Sequence, residues 1–239
     1  MPRLASPRPR TRAAGPVYTR LRERIVRGRL APGARVTEAD IAADLAVSRT
    51  PVREAMQRLV RDGLLAPVDG REGGRTRLAV APMDAVTLGE LYRIAGALEG
   101  LAARGLAALP SSRRSDLARR LRAAEQEFRR AAARRPLDYD RVFERHGAVH
   151  RTLVEPCAGT ELLRALDVIR PRLDRFEWYY APLVGPDFAA TYREHDAIIA
   201  AVRSGSADQI ERAVRANWFN GATRLSRALG RGKGAGDRG

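Results

Sequence analysis

The 239-residue chain, 44% apolar and 30% charged, is long enough for two modest globular domains and needs neither disulfide nor metal to build a core. Its formal charge of +16 is almost entirely arginine, Lys233 being the single lysine, so the charge permits a polyanionic partner without identifying one. Cys157 is the only cysteine, which excludes an intrachain disulfide, and no apolar run is long enough to span a bilayer; the expectation is a reducing cytoplasm and no membrane partner.

Residues 1–14 are basic and proline-rich and lack the apolar stretch of a signal peptide, so they read as a disordered arm with no assigned site. A first helix comes next, carrying Val17, Leu21, Ile25 and Val26 at helical spacing and stopping at Gly28, ahead of Pro32-Gly33. Thr37 and Asp40 have the spacing of a capping box and open a short second helix with Ile41 and Leu45 on its apolar face. After a three-residue turn, Ser48 can cap a third helix. Pro51 is tolerated in its first turn, where backbone N–H groups have no internal partner. Val52, Ala55, Met56, Leu59 and Val60 keep the helical period on the inner side, while Arg49, Arg53 and Gln57 form an outward line with Thr50 beside it.

Such a line suits a solvated amphipathic helix as well as one that enters a DNA groove. The residues on its C-terminal side favour the groove. Gly63 can end the helix, 64–68 and 75–80 read as short strands, and 69–74 is a Gly-rich turn, which makes residues 15–82 a winged helix-turn-helix. Its DNA-binding residues are then Ser48, Arg49, Thr50, Arg53 and Gln57, with Arg49 and Arg53 at base edges and Ser48 and Thr50 on phosphates. Gly73 and Gly74 at the wing tip approach the minor groove. The string Ser48-Arg49-Thr50-Pro51-Val52-Arg53-Glu54-Ala55, preceded by Pro32-Gly33 and succeeded by Asp62-Gly63-Leu64, resembles the DNA-binding domain of the GntR family of bacterial transcription regulators. The resemblance covers about 17–80. Where its turn usually carries glycine this chain has Ala46, and a left-handed alanine costs about 1 kcal/mol.

Pro82 stops the second strand, and from Met83 the texture becomes rich in Ala, Leu and Arg without strand signals. About six helices are expected, divided at Pro110, Arg135-Pro136, Glu155-Pro156, Pro182 to Pro186 and Ser204-Gly205-Ser206. Residues 83–229 then form an antiparallel all-α bundle, and the Gly-rich 230–239 a disordered tail, so the fold class is mainly α.

Two of the three histidines, His146 and His150, lie four apart on one predicted helix, whose apolar residues are Val142, Val149 and Leu153. Such a pair serves either as hydrogen-bonded core imidazoles or as part of a divalent-metal site, to which His195 could add a third ligand. The helical segment as a whole resembles the FCD-type ligand-binding domain of the FadR subfamily, many members of which hold a divalent metal with one aspartate and three histidines. That resemblance implies a site at His146, His150, His195 and Asn217. In HGAVHRTL the acid has become His146, in EHDAIIAAVRSGSADQIERA the histidine is His195, and in RANWFNG Asn217 stands for the last histidine. A three-histidine site, with zinc as the expected ion and an open position, is what those exchanges imply. The arginine that many relatives use to hold small carboxylate effectors is replaced by Ala95, and Arg93 should face elsewhere. Phe176, Trp178, Tyr179, Tyr180, Trp218 and Phe219 are candidates for either cavity wall or core.

A metal-dependent hydrolase could use the same histidines, but HGAVH lacks the glutamate base of HExxH. A non-specific DNA-coating protein would need no large helical domain with an interior polar cluster. The sequence therefore reads as a homodimeric GntR-type transcription regulator, acting as a repressor and not as an enzyme. It is expected to bind a pseudo-palindromic double-stranded operator and to answer a small-molecule effector, possible carboxylates included, through a metal-containing helical domain.

Overall fold

The computed structural model describes residues 14–72, 75–184 and 187–236. Contacts divide the chain into two compact units, Met1–Pro82 and Met83–Gly239.

In the first unit α1 (Ala14–Val26) and α2 (Glu38–Leu45) both pack on α3 (Arg49–Arg61). The helical period places Leu21 and Ile25 of α1, Ile41 of α2, and Val52, Met56 and Leu59 of α3 in one buried cluster. Beside the helices lies a three-stranded antiparallel sheet in the order β1 (Arg35–Val36), β3 (Arg75–Val80), β2 (Leu65–Glu72). Leu65 pairs with Val80 and Val36 with Leu78, so this wing is sealed to the core by Leu65, Val36 and Val80. Strand β1 carries no signal of its own, because two residues cannot show a period; its pairing to β3 is a tertiary event. The turn expected over 69–74 is shorter, since β2 passes a bulge between Val68 and Arg71 and keeps pairing as far as Glu72 with Arg75.

Thr37 caps α2, its Oγ1 accepting from the Asp40 N–H at 3.1 Å and donating to the Asp40 carboxylate at 2.7 Å. Ser48 departs from the expectation of a side-chain cap: it holds the N-cap position of α3 with an extended backbone, but its hydroxyl makes no capping bond. Pro51 removes one of the two donors such a cap could use. A capping hydroxyl accepts from the second or third helical N–H, and the third position here has no N–H to give. Gly63 (φ 69°) ends the helix with the left-handed residue that lets Leu64 turn back into the core.

Ala46 sits at φ 52° and ψ 46°, the only non-glycine residue with positive φ among those described. Its Cβ opposes that conformation, which the bonds from Ala46 and Val47 N–H to the end of α2 impose. Ala46→Gly should stabilise the unit by roughly 0.5–1 kcal/mol, the relief of strain exceeding the extra entropy of an unfolded glycine. Urea unfolding should show a higher midpoint at unchanged slope. A lower midpoint would mean that the turn stores no strain.

The second unit contains α4 (Ala85–Arg104), a 3-10 turn (Gly105–Ala108), α5 (Ser111–Ala133), α6 (Tyr139–Val154), α7 (Thr160–Val184), α8 (Ala189–Ser204) and α9 (Ala207–Gly236). Helix α4 runs against α9, α5 against α6 and α8, and α4 also touches α7. Gly96 is what lets α4 and α9 approach: a Cβ there would stand 3.0 Å from Trp218 Cβ. Phe128, Leu121, Leu153, Leu173 and Ile210 fill the centre. Two ends differ from expectation. Pro182 falls inside α7, and α9 continues to Gly236 through the segment read as a disordered tail from 230, because extending an existing helix needs no new nucleus.

Candidate functional site

With its apolar face in the core, α3 leaves Ser48, Arg49, Thr50 and Gln57 exposed on the opposite side. The first-turn N–H groups add partial positive charge to Arg49 at the end of the helix that a phosphate would meet. Arg53 is only half-exposed. Its Nε and Nη2 donate to the two carboxylate oxygens of Glu38 at 2.8 and 2.9 Å, a bidentate pair joining α3 to the first turn of α2. Nothing in the helical period marks that partnership. Gly73 and Gly74, expected at the wing tip, lie outside the described residues.

In the helical unit the three histidines come together. His146 and His150 sit one turn apart on α6, and His195 enters from α8; their ring centroids are 5.0, 5.4 and 5.6 Å apart. One ligating nitrogen from each lies within 4.8 Å of the others. Behind each ring stands a carboxylate. His150 Nδ1 meets Glu99 Oε2 at 2.7 Å, His195 Nδ1 meets Glu125 Oε2 at 2.5 Å, and His146 Nδ1 is 3.6 Å from Glu177 Oε2. An ionised carboxylate only accepts, so the first two contacts place the proton on Nδ1 and leave the Nε2 lone pairs facing away from it. Those Nε2 atoms of His150 and His195 are buried and have no hydrogen-bond partner. Unpartnered imidazole nitrogens backed by carboxylates are the donor set that a borderline divalent ion requires, so the residues fit a metal.

Electrostatics keep His195 in that state. Burial pushes His195 down to about 4, outweighing the opposing hydrogen bond to Glu125, and the neighbouring His146 and His150 act in the same direction as burial. Burial alone would raise Glu99, but His150, Arg170 and Trp218 together hold its carboxyl below the usual range. Cys157, half-buried at the end of α6 with its thiol on the Leu153 and Val154 carbonyls, is pushed up to about 11, chiefly by burial, as expected of an inert thiol.

The cavity beside the cluster is about 90 Å³, and Tyr92, Phe128, Phe143, Phe188 and Trp218 form its apolar wall. Of the aromatic candidates whose side chains are described, only Trp218 lines it. Phe176 is core, Trp178 packs edge-on to Phe143, Tyr179 and Phe219 are exposed, and the side chain of Tyr180 lies outside the described residues. Asn217 also lines the cavity, with its Nδ2 donating to Glu194 at 3.0 Å. Ala95 is fully buried and Arg93 is exposed, so neither brings a cation to the histidines. The sequence reading missed Glu99 and Glu125, yet a signal existed. Leu91, Tyr92, Ala95, Glu99, Ala102 and Ala103 form one apolar stripe, as do Leu117, Leu121, Glu125 and Phe128, each broken by one acid at a core position.

The family model for bacterial regulatory proteins of the gntR family matches residues 13–72, and the model of the FCD domain matches residues 90–218. The "Uncharacterized HTH-type transcriptional regulator YdhC" of Bacillus subtilis (strain 168) is 39% identical over 85 residues, a match spanning 36% of this chain and 36% of that protein. The "Probable D-xylose utilization operon transcriptional repressor" of Paenarthrobacter nicotinovorans is 32% identical over 207 residues, 86% of this chain and 85% of that one. Among solved structures, E. coli McbR/YncC superposes with a TM-score of 0.67 at 19% identity, covering 91% of this chain and 98% of that one, a likeness of fold.

Proposed function

The chain belongs to the GntR family of bacterial regulatory proteins and is a transcription regulator with an FCD domain; from that premise we propose how its two units divide the work. The first binds a pseudo-palindromic operator through the exposed start of α3. The observation that carries this is the pairing of a fully sunk apolar face with an exposed row of Ser48, Arg49, Thr50 and Gln57. Comparing a selected palindrome with random duplex tests it. Preference on the order of 10³ or more is expected, and equal affinity would make the protein a general DNA-coating protein instead.

The chain acts as a homodimer, so that two-fold symmetry matches the operator. Val86, Ile94 and Leu101, exposed along one side of α4, together with exposed Phe219 of α9, support a self-complementary apolar contact. A relative named as a repressor supports that sign of regulation, and the regulator names in the family favour this role over a hydrolase. No helix among the described residues is long and apolar enough to cross a membrane, and a cytoplasmic site of action suits a regulator of genes.

The second unit senses a small effector. His146, His150 and His195 would hold a divalent ion, zinc by donor type, with Asn217 at hand as a weak fourth ligand. Such an ion, when bound, supplies an electrophilic centre for an effector oxygen. Effector binding changes operator affinity only as far as it distinguishes two states of the protein. His150→Ala should abolish stoichiometric zinc in purified protein and lose the effector's release of DNA. A variant that retains both would show that the cavity has been wrongly assigned.

A further inference from the structure

The cavity's cationic side chain is already matched. Among the described residues, Arg224 is the one arginine or lysine that lines it, and its guanidinium is taken by Glu194: Nη1 donates to Oε1 at 2.6 Å and Nη2 to Oε2 at 2.9 Å. Thr191 Oγ1 lies 3.4 Å from the same Nη2, and Asn217 Nδ2 donates to Glu194 Oε2. The pair is largely buried, with side-chain exposures of 27% and 14%. A ligand carboxylate seeking Arg224 would have to expel Glu194 and leave that buried acid without its cation. Apart from the Nε2 of His150, which faces the metal position, one buried polar atom of the described lining residues is left over. Tyr92, 3% exposed, is one of the lining residues, and its buried hydroxyl has no hydrogen-bond partner. Burial, with Glu177 and Asp174 adding to it, raises that phenol well above its ordinary value, so it remains a donor.

We infer that the cavity takes a small uncharged molecule offering an oxygen to Tyr92, and that Glu194 fills the place an effector carboxylate would otherwise occupy on Arg224. This rests on the reading that the cavity receives the effector. Size points the same way: about 90 Å³ is less than the roughly 150 Å³ known to admit benzene, so the part of the ligand that sits inside, against Phe128, Phe143 and Trp218, is only a few non-hydrogen atoms.

The test is direct binding to the full chain, zinc-loaded and metal-free, by calorimetry and thermal shift, using matched pairs: acetate with acetamide, glycolate with ethylene glycol, lactate with 1,2-propanediol. On the wild type, at least one uncharged probe should bind about tenfold more tightly than its acid, and Tyr92→Phe should lose that advantage. Glu194→Gln, which keeps the shape but releases Arg224, should raise the affinity of the acids about tenfold. Acids that match their uncharged partners on the wild type overturn the proposal, as does a folded Glu194→Gln protein that gains nothing for acids. The wild-type comparison decides alone should the variant fail to fold. Operator DNA is absent from the assay, so loss of DNA coupling or of metal would defeat the sensing reading while leaving this measurement intact.

Discussion

Glu99→Ala should destabilise the helical unit by about 3–5 kcal/mol and weaken zinc binding about 10–100-fold, a larger effect than any surface change in the chain. Its fully buried carboxylate accepts from His150 Nδ1 at 2.7 Å, Trp218 Nε1 at 2.8 Å and Arg170 Nη2 at 3.2 Å. Removing it strands an indole N–H, a mostly buried guanidinium and the proton that fixes the His150 tautomer, each of which loses its acceptor inside the core. Glu99→Gln should lose less stability, because one amide oxygen still accepts, yet it should lose much of the zinc affinity, because the charge that favours a proton on Nδ1 is gone. Urea unfolding and a zinc competition titration measure the two separately. A cost below about 1 kcal/mol with normal zinc affinity would show that Glu99 merely fills space.

That residue also shows where sequence reading stops. The helical period of α4 tells which side of the helix is buried, and Glu99 is on it, but not which helix that side will meet. The three donors to Glu99 come from α6, α7 and α9, so their convergence is a product of packing over separations of 51, 71 and 119 residues. The histidines were more legible. Two of them share one face by spacing alone, and a helix entered by His195 was already marked off by Pro182 to Pro186 and by Gly205. The winged unit was legible for a different reason: its capping residues, proline and glycine act locally, within one turn of where they stand. Strand β1 and the Glu38 to Arg53 pair were not legible: two residues show no period, and the pair joins polar positions of two helices, which an apolar period does not register.

On the DNA side, Arg53→Ala should reduce operator affinity about 5- to 150-fold, with much less effect on random duplex. Arg53 carries five donors in a rigid fork, and Glu38 engages only the Nε and Nη2 edge. The other edge, Nη1 and the remaining Nη2 proton, is the one that can meet guanine O6 and N7. By clamping one edge, Glu38 fixes the guanidinium before DNA arrives and removes part of the entropy that ordering it on binding would cost. Glu38→Gln should therefore weaken operator binding in the same direction as Arg53→Ala but by less, and should relax preference at the same base pair. Combining the two should add little to Arg53→Ala alone, since both act through one contact. Neither should change the folding midpoint much, the pair being half-exposed. The opposite sign is informative: were Glu38 a competitor for the arginine rather than its brace, Glu38→Gln would tighten binding to operator and random duplex alike. Selecting operators with the wild type, then measuring each variant against every single-base replacement at fixed salt, separates the two outcomes.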